Sequence, residues 1–373
     1  MSGWGARPIV GVLGGGQLGR MLALAAAPLE IEVRLFDPSP DACGGRIAPL
    51  TCAPFEDLDA VRRFAEGCDA VTIEFENVPL EALDAAGELA PVRPGPTSLD
   101  TARDRAHERG LFGQLGIDTP QWAKIDSLDA LRAAAADSPM PAIAKARRGG
   151  YDGKGQATLA TPDDADRVWN ELGGRPMILD ERVAFVHELS IITVRAPTGE
   201  TRCYPLCENE HRSGILHRTL APAPGVANDL AAWARAAAER VAEALDHIGV
   251  LTIEFFEVER ADGARRLLAN ELAPRVHNSG HWTIEFARTS QFENHLRAVL
   301  GWPLGSTDAS EPCAMFNFVG SVPPMDDLLS VEGARVHLYG KEAKPGRKVG
   351  HVSCPAAADR KQRLEDLVTR SVL

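Results

Sequence analysis

Residues 9–19 read IVGVLGGGQLG, an apolar run that is followed by a glycine-rich turn and by the first residues of an amphipathic stretch. The apolar run at residues 9–13 is typical of a buried β-strand, and residues 17–27 have the pattern of a helix. Short β-rich runs recur at residues 31–36 and 70–73. Strands that alternate with helices predict a parallel sheet with crossover helices, so we expect the chain to begin with a doubly wound α/β unit.

The glycines of this turn fit the pattern G-x-G-x-x-G at Gly14, Gly16 and Gly19, and Asp37 follows 18 residues after Gly19 at the end of the next strand. Between a strand and a helix, such glycines let the backbone approach a bound anion at the helix N-terminus. The motif is compatible with an NAD(P)-dependent oxidoreductase. It is equally compatible with a tight βα turn that binds no dinucleotide, and at this point both interpretations stay open.

The composition is that of an acidic globular chain. Its 373 residues are 45% hydrophobic and 25% charged, and 40 Lys+Arg against 52 Asp+Glu give a net charge of −12. At about 150 residues per domain, this length predicts two or three domains. The negative charge disfavours nucleic acid and anionic membranes as partners, so an anionic ligand must bind a local cationic cluster. We expect no signal peptide and no membrane span, and the seven scattered cysteines are typical of reduced thiols in a cytoplasmic protein.

The pattern changes after a proline-rich boundary at residues 91–96. One helix is predicted over residues 98–115, and a long alanine-rich helix is predicted over residues 229–247. The other predicted elements are a strand at residues 177–180, an antiparallel block at 187–220, a strand pair at 250–272, short strands after 311 and a final helix at 359–371.

A glycine-dense loop at residues 145–156 carries the cations Lys145, Arg147, Arg148 and Lys154. Glycine lets backbone N–H groups converge on phosphate oxygens, and the cations add charge, so we interpret the loop as a phosphate-binding element. It lacks the G-x-x-x-x-G-K-[ST] pattern of P-loop ATPases. A flexible surface loop is the alternative.

Two glutamates are expected to face each other farther along the chain. If Asp262 and Gly263 form a two-residue type I′ hairpin turn, Glu254 lies directly opposite Glu271. Two opposed carboxylates repel unless a cation lies between them, and Mg²⁺ commonly binds one or two carboxylates together with nucleotide phosphates. The alternative, a solvated acidic face, fits poorly with the apolar residues around them.

Two further segments combine polar groups. Residues 275–281 contain Arg275, His277 and Asn278, which could bind a small oxyanion and its reaction partner. Residues 337–351 concentrate cations in a turn-rich stretch and predict a second anion site. A loop packed by hydrogen bonds and a basic surface turn are the respective alternatives.

With these segments, the sequence resembles those of the ATP-grasp superfamily and, within it, of the N5-carboxyaminoimidazole ribonucleotide synthase family of purine biosynthesis. The motifs that carry the resemblance occur in the family's order and cover nearly the whole chain. They are residues 15–21 (GGQLGRM), 74–78 (EFENV), 150–156 (GYDGKGQ), 270–282 (NELAPRVHNSGHW), and 339–341 (YGK) with 345–351 (PGRKVGH). The third motif is shared in part with other ATP-grasp enzymes, whereas the fourth and fifth are specific to this synthase.

The resemblance implies an ATP-grasp fold that combines α/β and α+β parts. It implies an N-terminal Rossmann-like domain at residues 1–97, an ATP-grasp domain at residues 98–305 with a lid subdomain at about 120–185, and a small β-rich C-terminal domain at residues 306–373. The implied reaction joins bicarbonate to 5-aminoimidazole ribonucleotide through carboxyphosphate, and it consumes ATP and releases ADP and phosphate. A cytoplasmic homodimer that uses Mg²⁺, or alternatively Mn²⁺, is expected.

The resemblance also implies roles for individual residues. Nucleotide contacts are expected from Arg105, Lys145, Gly150, Tyr151, Asp152, Gly153, Lys154, Gly155, Gln156, Asp180, Glu181, Arg182, Val183, Glu188, His211, Asn270 and Glu271. Metal ligands are expected at Glu254 and Glu271. Catalytic roles are expected for Tyr151, Asp152, Arg275, His277 and Asn278. The ribonucleotide site is expected to include Gln17, Leu18, Glu76, Lys341, Arg347 and Lys348, and the first glycine turn then binds no dinucleotide.

One position departs from the family pattern, because Asp180 stands where Glu is expected. A main-chain contact to adenine would survive this change, whereas a side-chain contact need not. Three rival interpretations also remain: an NAD(P)-dependent oxidoreductase, another ATP-grasp ligase of purine metabolism, and a nucleotide sensor without activity.

Overall fold

The computed structural model describes residues 7–150 and 155–371. Its strands, in chain order, are β1 (Ile9–Leu13), β2 (Glu32–Asp37), β3 (Leu50–Cys52), β4 (Ala70–Ile73), β5 (Trp122–Ile125), β6 (Ala142–Ala146), β7 (Gln156–Leu159), β8 (Met177–Glu181), β9 (His187–Arg195), β10 (Thr201–Cys203), β11 (Cys207–Arg212), β12 (Ile215–Ala221), β13 (Gly249–Glu259), β14 (Arg265–Ala273), β15 (Cys313–Val319), β16 (Arg335–Leu338) and β17 (Lys348–Pro355).

The helices are α1 (Gln17–Ala26), α2 (Leu58–Ala65), α3 (Leu80–Gly87), α4 (Pro96–Ala102), α5 (Arg105–Gln114), α6 (Leu128–Asp137), α7 (Ala165–Glu171), α8 (Asn228–Ala244), α9 (Thr283–Phe286), α10 (Gln291–Leu300), α11 (Met325–Leu329) and α12 (Ala358–Arg370). Within the described residues, no helix is both long and apolar enough to cross a membrane.

The first sheet is parallel, with the strand order β3-β2-β1-β4. Its central strand β1 is almost wholly buried, as the apolar run of the sequence predicts. The doubly wound α/β start of the chain is therefore confirmed. Strand β3 was not anticipated, because three residues with two exposed side chains give no periodic signal.

The small sheet is antiparallel, with the strand order β5-β8-β6-β7. Helices α6 and α7 cover it, and Ile125, Leu131 and Leu179 lie in its apolar core. The Ser127 hydroxyl caps α6 by accepting a hydrogen bond from Ala130 N at 3.2 Å. This sheet carries Lys145 and Asp180 on adjacent strands, so its fold brings both side chains toward the candidate site.

The large sheet has nine antiparallel strands in the order β14-β13-β9-β11-β12-β15-β17-β16, with β10 added beside β9. The C-terminal strands continue the sheet through the pairing of β12 with β15. One apolar core joins this sheet to the first one and includes Leu22 of α1, Leu296 of α10 and Met315 of β15. His295 adds a polar link, since Val250 N donates to its Nδ1 at 3.0 Å and its Nε2 bonds Thr72 at 2.8 Å.

The single helix predicted over residues 98–115 is wrong, because the structure breaks it into α4 and α5. Asp104 lies between the two helices with extended backbone, and its Oδ1 accepts a hydrogen bond from Ala106 N at 3.0 Å. An aspartate favours this N-cap position because its carboxylate satisfies an otherwise unpaired helix amide. The break turns the following residue, Arg105, toward the large sheet.

The hairpin of β13 and β14 confirms the opposed glutamates but not the turn. Instead of a two-residue turn, Arg260 N bonds Ala264 O at 2.8 Å, and Gly263 has a φ of +78°, as in a three-residue loop with a left-handed glycine. This puts the strands one residue out of the predicted register. Asn270 is an extra residue on β14 and forms a β-bulge, which shifts the pairing back by one residue. Glu254 therefore pairs with Glu271, as predicted.

Candidate active site

The centre of the candidate site is the pair Glu254 and Glu271 on neighbouring strands. Both guanidinium Nη atoms of Arg105 lie 3.4 Å from Oε2 of Glu271. Burial raises the pKa of Glu254 to about 7, and the charge of Glu271 acts in the same direction. Burial would also raise the pKa of Glu271, but Arg105 and Lys145 outweigh it and hold that pKa below its usual value.

These two carboxylates fit a divalent cation. They are hard oxygen ligands on adjacent strands, and their charges repel, because the charge of Glu271 adds to burial in raising the pKa of Glu254. A cation bound between them would relieve the repulsion and would lower the pKa of Glu254.

A buried ion cluster lies beside the glutamate pair. Lys145 Nζ bonds Asp180 Oδ2 at 2.8 Å, and Arg109 Nη2 bonds the same oxygen at 3.0 Å. Arg109 also donates to the main-chain oxygen of Asn270 at 2.6 Å, and Lys145 lies 3.4 Å from that residue's Oδ1. Burial and the neighbouring arginines lower the pKa of Lys145, although Asp180 opposes them. The cluster therefore holds cations at the bulge next to Glu271.

The departure at Asp180 has a structural explanation. Its carboxylate is turned inward to Arg109 and Lys145, and its Oδ1 is buried without a hydrogen-bond partner. Next to it, Glu181 N donates to Gln121 O at 2.8 Å. Arg182 and Val183 lie in the connection between β8 and β9, where Arg182 is exposed. The adenine contact that the resemblance implies for this segment would therefore have to come from main-chain groups beyond β8.

Glu188 and His211 form a second polar pair, on β9 and β11. Glu188 Oε2 lies 3.0 Å from His211 Nδ1 and accepts a hydrogen bond from His211 N at 3.3 Å. Burial alone would lower the pKa of His211, but the bond to Glu188 and the charge of Glu254 raise it. The two predicted nucleotide contacts therefore lie together and extend the acidic side of the site.

Arg275 joins the large sheet to the first sheet. Its Nη2 pairs with Glu76 Oε1 at 2.5 Å, and its Nη1 donates to Val276 O at 3.0 Å. The third guanidinium nitrogen, Nε, is buried without a hydrogen-bond partner. A buried and unpaired guanidinium donor is costly unless a ligand accepts from it, so Arg275 is suited to bind an oxyanion.

His277 faces the glutamate pair through one nitrogen. Ser279 N donates to His277 Nδ1 at 3.3 Å, which assigns the proton to Nε2, and Nε2 lies 3.5 Å from Glu254 Oε1. Burial and the nearby cations Arg275 and Lys348 hold the pKa of His277 well below its usual value. The imidazole is therefore neutral at pH 7, and its Nε2–H is available as a hydrogen-bond donor.

Asn278 differs from its two neighbours because its side chain is already satisfied. It exchanges hydrogen bonds with Asn317 at 3.0 and 2.9 Å, and Asn317 also donates to Leu216 O. The pair connects the loop after β14 to β15. This arrangement supports a positioning role more directly than a catalytic one.

The predicted ribonucleotide residues come from both ends of the chain. Lys341 Nζ donates to Gln17 Oε1 at 2.6 Å, which joins the C-terminal turn to the start of α1. The Leu18 side chain is buried in the core, so it does not itself line an open ligand site. Arg347 is exposed and lies 3.4 Å from Glu342 O. The charge of Lys348 lowers the pKa of His277 and of Glu254, which places Lys348 close to both.

The glycine-dense loop is described only at its ends, since Tyr151, Asp152, Gly153 and Lys154 lie outside the described residues. Gly150 precedes the gap, Gly155 O accepts a hydrogen bond from Ala146 N at 2.8 Å, and Gln156 begins β7. Arg147 and Arg148, which were expected to serve phosphate binding, both bond the buried carboxylate of Asp104, so part of their charge is engaged within the protein. Their contribution to phosphate binding stays a prediction.

Internal carboxylates occupy the first glycine turn. Glu74 accepts hydrogen bonds from Gly16 N at 2.5 Å and Gly19 N at 2.6 Å, and Asp37 accepts one from Gly15 N at 2.8 Å. A Cβ on Gly14 would lie 2.1 Å from Glu74 Cγ, so glycine is needed there for Glu74 to fit. The amides that a dinucleotide phosphate would need are taken, which disfavours the oxidoreductase interpretation.

Several residues at the site were missed by the sequence interpretation, namely Glu74, Asp104, Glu108 and Arg109. Arg109 follows Arg105 by one helical turn on α5, and this spacing could have indicated that both face the site. Glu108 accepts a hydrogen bond from Leu272 N at 2.5 Å, and burial raises its pKa to about 7. Its contact is between distant parts of the chain, so no local pattern predicts it.

A separate group of potential metal ligands, formed by Glu210, His217 and Glu365, lies away from this site. Arg212 and Arg218 occupy all four carboxylate oxygens of the two glutamates at 2.8–3.2 Å. The four charged residues form a closed ring of ion pairs that fastens α12 to the large sheet. The ring is electrically balanced and has no need of a cation.

The opposed glutamates on the large sheet, Lys145 on the small sheet and the arginines of α5 form one charged centre, which is the arrangement expected of an ATP-grasp enzyme. The ATP-grasp domain family matches residues 110–292. The ribonucleotide synthetase preATP-grasp domain matches residues 8–103, and the phosphoribosylaminoimidazole carboxylase C-terminal domain matches residues 313–364.

Individual relatives narrow the class. N5-carboxyaminoimidazole ribonucleotide synthase of Pseudomonas aeruginosa is 49% identical over 348 residues, which are 93% of this chain and 94% of the relative. The crystal structure of the corresponding synthetase from Thermus thermophilus matches with a TM-score of 0.90 and 49% identity, and it covers 96% of this chain and 98% of that one. The synthase of Aspergillus clavatus in complex with ADP and 5-aminoimidazole ribonucleotide matches with a TM-score of 0.89 and 30% identity, covering 98% and 99%.

The chain belongs to the N5-carboxyaminoimidazole ribonucleotide synthase family. It is an ATP-grasp ligase, and the family and fold class predicted from the sequence are confirmed.

Proposed function

We propose that the protein carboxylates 5-aminoimidazole ribonucleotide to N5-carboxyaminoimidazole ribonucleotide in purine biosynthesis, with consumption of MgATP and bicarbonate. The observation that carries the proposal is the ion pair between Arg275 and Glu76. It brings the loop that follows β14 into contact with the loop after the first sheet, whose helix α1 begins at Gln17, the partner of Lys341. One site can thus serve a nucleotide and a ribonucleotide at the same time.

In the proposed reaction, the cations of the site stabilise the negative charge that develops during phosphoryl transfer. A bicarbonate oxygen attacks the γ-phosphorus of ATP, the bond to the β-phosphate oxygen breaks, and ADP leaves, which yields carboxyphosphate. Arg105 and Lys145 are suited to bind the phosphates, and Arg275 is suited to bind the bicarbonate oxygens through its unpaired Nε. Positioning and electrostatic stabilisation then supply most of the catalysis.

In the second step the amine nitrogen of the ribonucleotide bonds to the carbon of carboxyphosphate, or to the CO₂ that it releases, and phosphate leaves. The amine loses one proton. Asp152 is proposed as the group that accepts it, and Tyr151 is proposed to take part in the same step. His277 Nε2 lies 3.5 Å from Glu254 Oε1. Lys341, Arg347 and Lys348 are proposed to bind the 5′-phosphate, with Gln17, Leu18 and Glu76 around the remainder of the substrate.

Glu254 and Glu271 are proposed to hold Mg²⁺, for which Mn²⁺ could substitute. When bound, the cation would neutralise charge on the ATP phosphates. Asp180, Glu181, Arg182 and Val183, with Glu188, His211 and Asn270, are proposed to contact the nucleoside. The glycine-dense loop of residues 150–156 is proposed to cover the phosphates. We also propose a cytoplasmic homodimer with domains at residues 1–97, 98–305 and 306–373.

The test is phosphate release from MgATP with each substrate omitted in turn. We expect full turnover only when bicarbonate and 5-aminoimidazole ribonucleotide are both present, together with one N5-carboxyaminoimidazole ribonucleotide for each phosphate. Binding of MgATP without any phosphate release would indicate a nucleotide sensor. Turnover with a different purine intermediate would indicate another ligase of the superfamily.

A further inference from the structure

Asp104 is the most heavily engaged carboxylate near the site, although it takes part in none of the proposed chemistry. Its side chain is 1% exposed. Arg147 bonds it through two atoms, Nε to Oδ1 at 2.9 Å and Nη2 to Oδ2 at 2.8 Å, and Arg148 Nε adds a third bond at 3.0 Å. Asp104 also caps α5 through Ala106 N. Two arginines, one of them bidentate, are more than a helix cap requires.

The segments that Asp104 joins carry the two cations proposed for ATP. Arg105 is the next residue in the chain, and it reaches Glu271 on the large sheet. Arg147 follows Lys145 by two residues, at the end of β6 in the small sheet. The backbone makes the same connection, since Arg105 N donates to Arg147 O at 3.0 Å. Asp104 therefore lies where the small sheet is fastened to the start of α5.

The two cations repel each other when no nucleotide is present. Arg105 pairs with Glu271 and Lys145 with Asp180 around the same centre, and the charge of Arg105 is one of the causes that lower the pKa of Lys145. Something must hold them at the spacing that phosphates require, because a ligand that had to order them would bind less tightly. Burial alone would raise the pKa of Asp104, but the two arginines lower it to about 2. The Asp104 carboxylate is therefore charged throughout the working pH range.

We propose that Asp104 is a positioning residue for ATP, which fixes Arg105 and Lys145 relative to each other by binding Arg147 and Arg148. The proposal rests on the proposed function in that these two cations bind the nucleotide phosphates. Asp104 itself touches no substrate. Its effect is specific to MgATP, because the ribonucleotide groups Lys341 and Gln17 belong to other elements.

Asp104→Asn separates this role from helix capping. Asparagine caps a helix about as well as aspartate does, so α5 keeps its N-terminus while the ion pairs with Arg147 and Arg148 are lost. Asp126→Asn is the matched control, because Asp126 is half exposed and accepts from the same Arg147 at 3.3 Å. Arg147→Lys is a second variant that keeps the charge and loses the bidentate geometry.

The measurement is MgATP affinity by calorimetry, together with the KM values for ATP and for the ribonucleotide. We expect Asp104→Asn and Arg147→Lys to weaken MgATP binding and raise its KM about tenfold, with the ribonucleotide KM within about twofold of wild type. Asp126→Asn is expected to behave as wild type. If Asp104→Asn does not fold, Arg147→Lys decides the question.

A fall in Tm with MgATP affinity unchanged, or an equal loss for both substrates, would overturn the proposal. Calorimetry detects MgATP binding without turnover, so it tests the role of Asp104 separately from the proposed carboxylation. A wild-type protein that binds MgATP but does not carboxylate the ribonucleotide would contradict the proposed function alone. A wild-type protein that carboxylates it, with variants of unchanged affinity, would contradict the role of Asp104 alone.

Discussion

Glu254 and Glu271 face each other, yet they have different electrostatic roles. Arg105 and Lys145 stabilise the charge of Glu271, whereas burial raises the pKa of Glu254 to about 7. One carboxylate is therefore fixed as an anion, and the other is near its titration point at neutral pH. A metal ion that replaces the missing positive charge would make both anionic.

This asymmetry predicts opposite effects of the two isosteric substitutions on stability without metal. A carboxyl whose folded-state pKa is raised stabilises the protein below its unfolded pKa of about 4.5, and the contribution is lost as pH rises through 7. Glu254→Gln cannot titrate, so we expect it to gain roughly 1–3 kcal/mol relative to wild type between pH 5 and pH 8. Denaturant unfolding in a chelator measures the difference.

Glu271→Gln is the comparison, because it leaves Arg105 without its partner. We expect this variant to be less stable than wild type at pH 7 and to lose turnover. Parallel pH profiles for Glu254→Gln and wild type would contradict the assigned titration of Glu254.

Lys341 provides a second prediction at this scale. Burial lowers its pKa, and its ammonium bonds Gln17 at 2.6 Å, far in sequence from the ATP-grasp region. Loss of charge-assisted hydrogen bonds to a 5′-phosphate is worth about 1.5–3 kcal/mol, so we expect Lys341→Ala to raise the KM for the ribonucleotide by roughly ten- to a hundredfold. Lys344→Ala is the control, because Lys344 is exposed and pairs with Glu342. An equal rise in the KM for ATP would reassign Lys341 to nucleotide binding.

Among elements, the hairpin of β13 and β14 shows what local patterns can and cannot predict. The alternation of apolar residues identified both strands, and the opposition of Glu254 and Glu271 was correct. The turn was wrong by one residue, and a bulge beside Asn270 compensates for it. This bulge is supported by a contact from another element, the bond from Arg109 of α5 to the carbonyl of Asn270, so the hairpin segment alone carries no signal for it.

The parts of the site that sequence could predict are those with short-range motifs or periodic strands. A family motif contains Arg275 and His277, and the resemblance as a whole implied Arg105 and Lys145; the structure brings the four around one centre. Asp104, whose carboxylate bonds Arg147, was missed because this partner is 43 residues away in the chain. The break at Asp104 was missed because the predicted helix was continued through an aspartate that caps the second helix instead.

The ring of ion pairs at α12 gives a prediction at the element scale. Glu365 bonds both Arg212 and Arg218, so Glu365→Gln removes one of the two carboxylates with which each guanidinium group pairs. We expect a loss of roughly 1–2 kcal/mol in the free energy of unfolding. Glu200→Gln, which breaks the exposed pair with Arg202, is expected to cost less than about 0.5 kcal/mol. Equal effects of the two substitutions would show that the ring does not fasten α12.

At the scale of the whole molecule, the site lies where the three sheets meet. The small sheet contributes Lys145, the large sheet Glu254 and Glu271, and the loop after the first sheet contributes Glu76. The large sheet runs without interruption into the C-terminal strands, which lead to Lys341. These connected sheets thus span the proposed nucleotide and ribonucleotide sites, and in the proposed reaction this would keep the reactive intermediate beside the amine that consumes it.

The most direct test of ATP-dependent carboxylation follows the oxygen atoms. If bicarbonate attacks the γ-phosphorus, one bicarbonate oxygen ends in the released phosphate. With ¹⁸O-labelled bicarbonate, MgATP and 5-aminoimidazole ribonucleotide, we expect mass spectrometry to show one ¹⁸O in each phosphate, with phosphate and N5-carboxyaminoimidazole ribonucleotide formed in equal amounts. Unlabelled phosphate would contradict the account, because it would mean that water, and not bicarbonate, accepts the phosphoryl group.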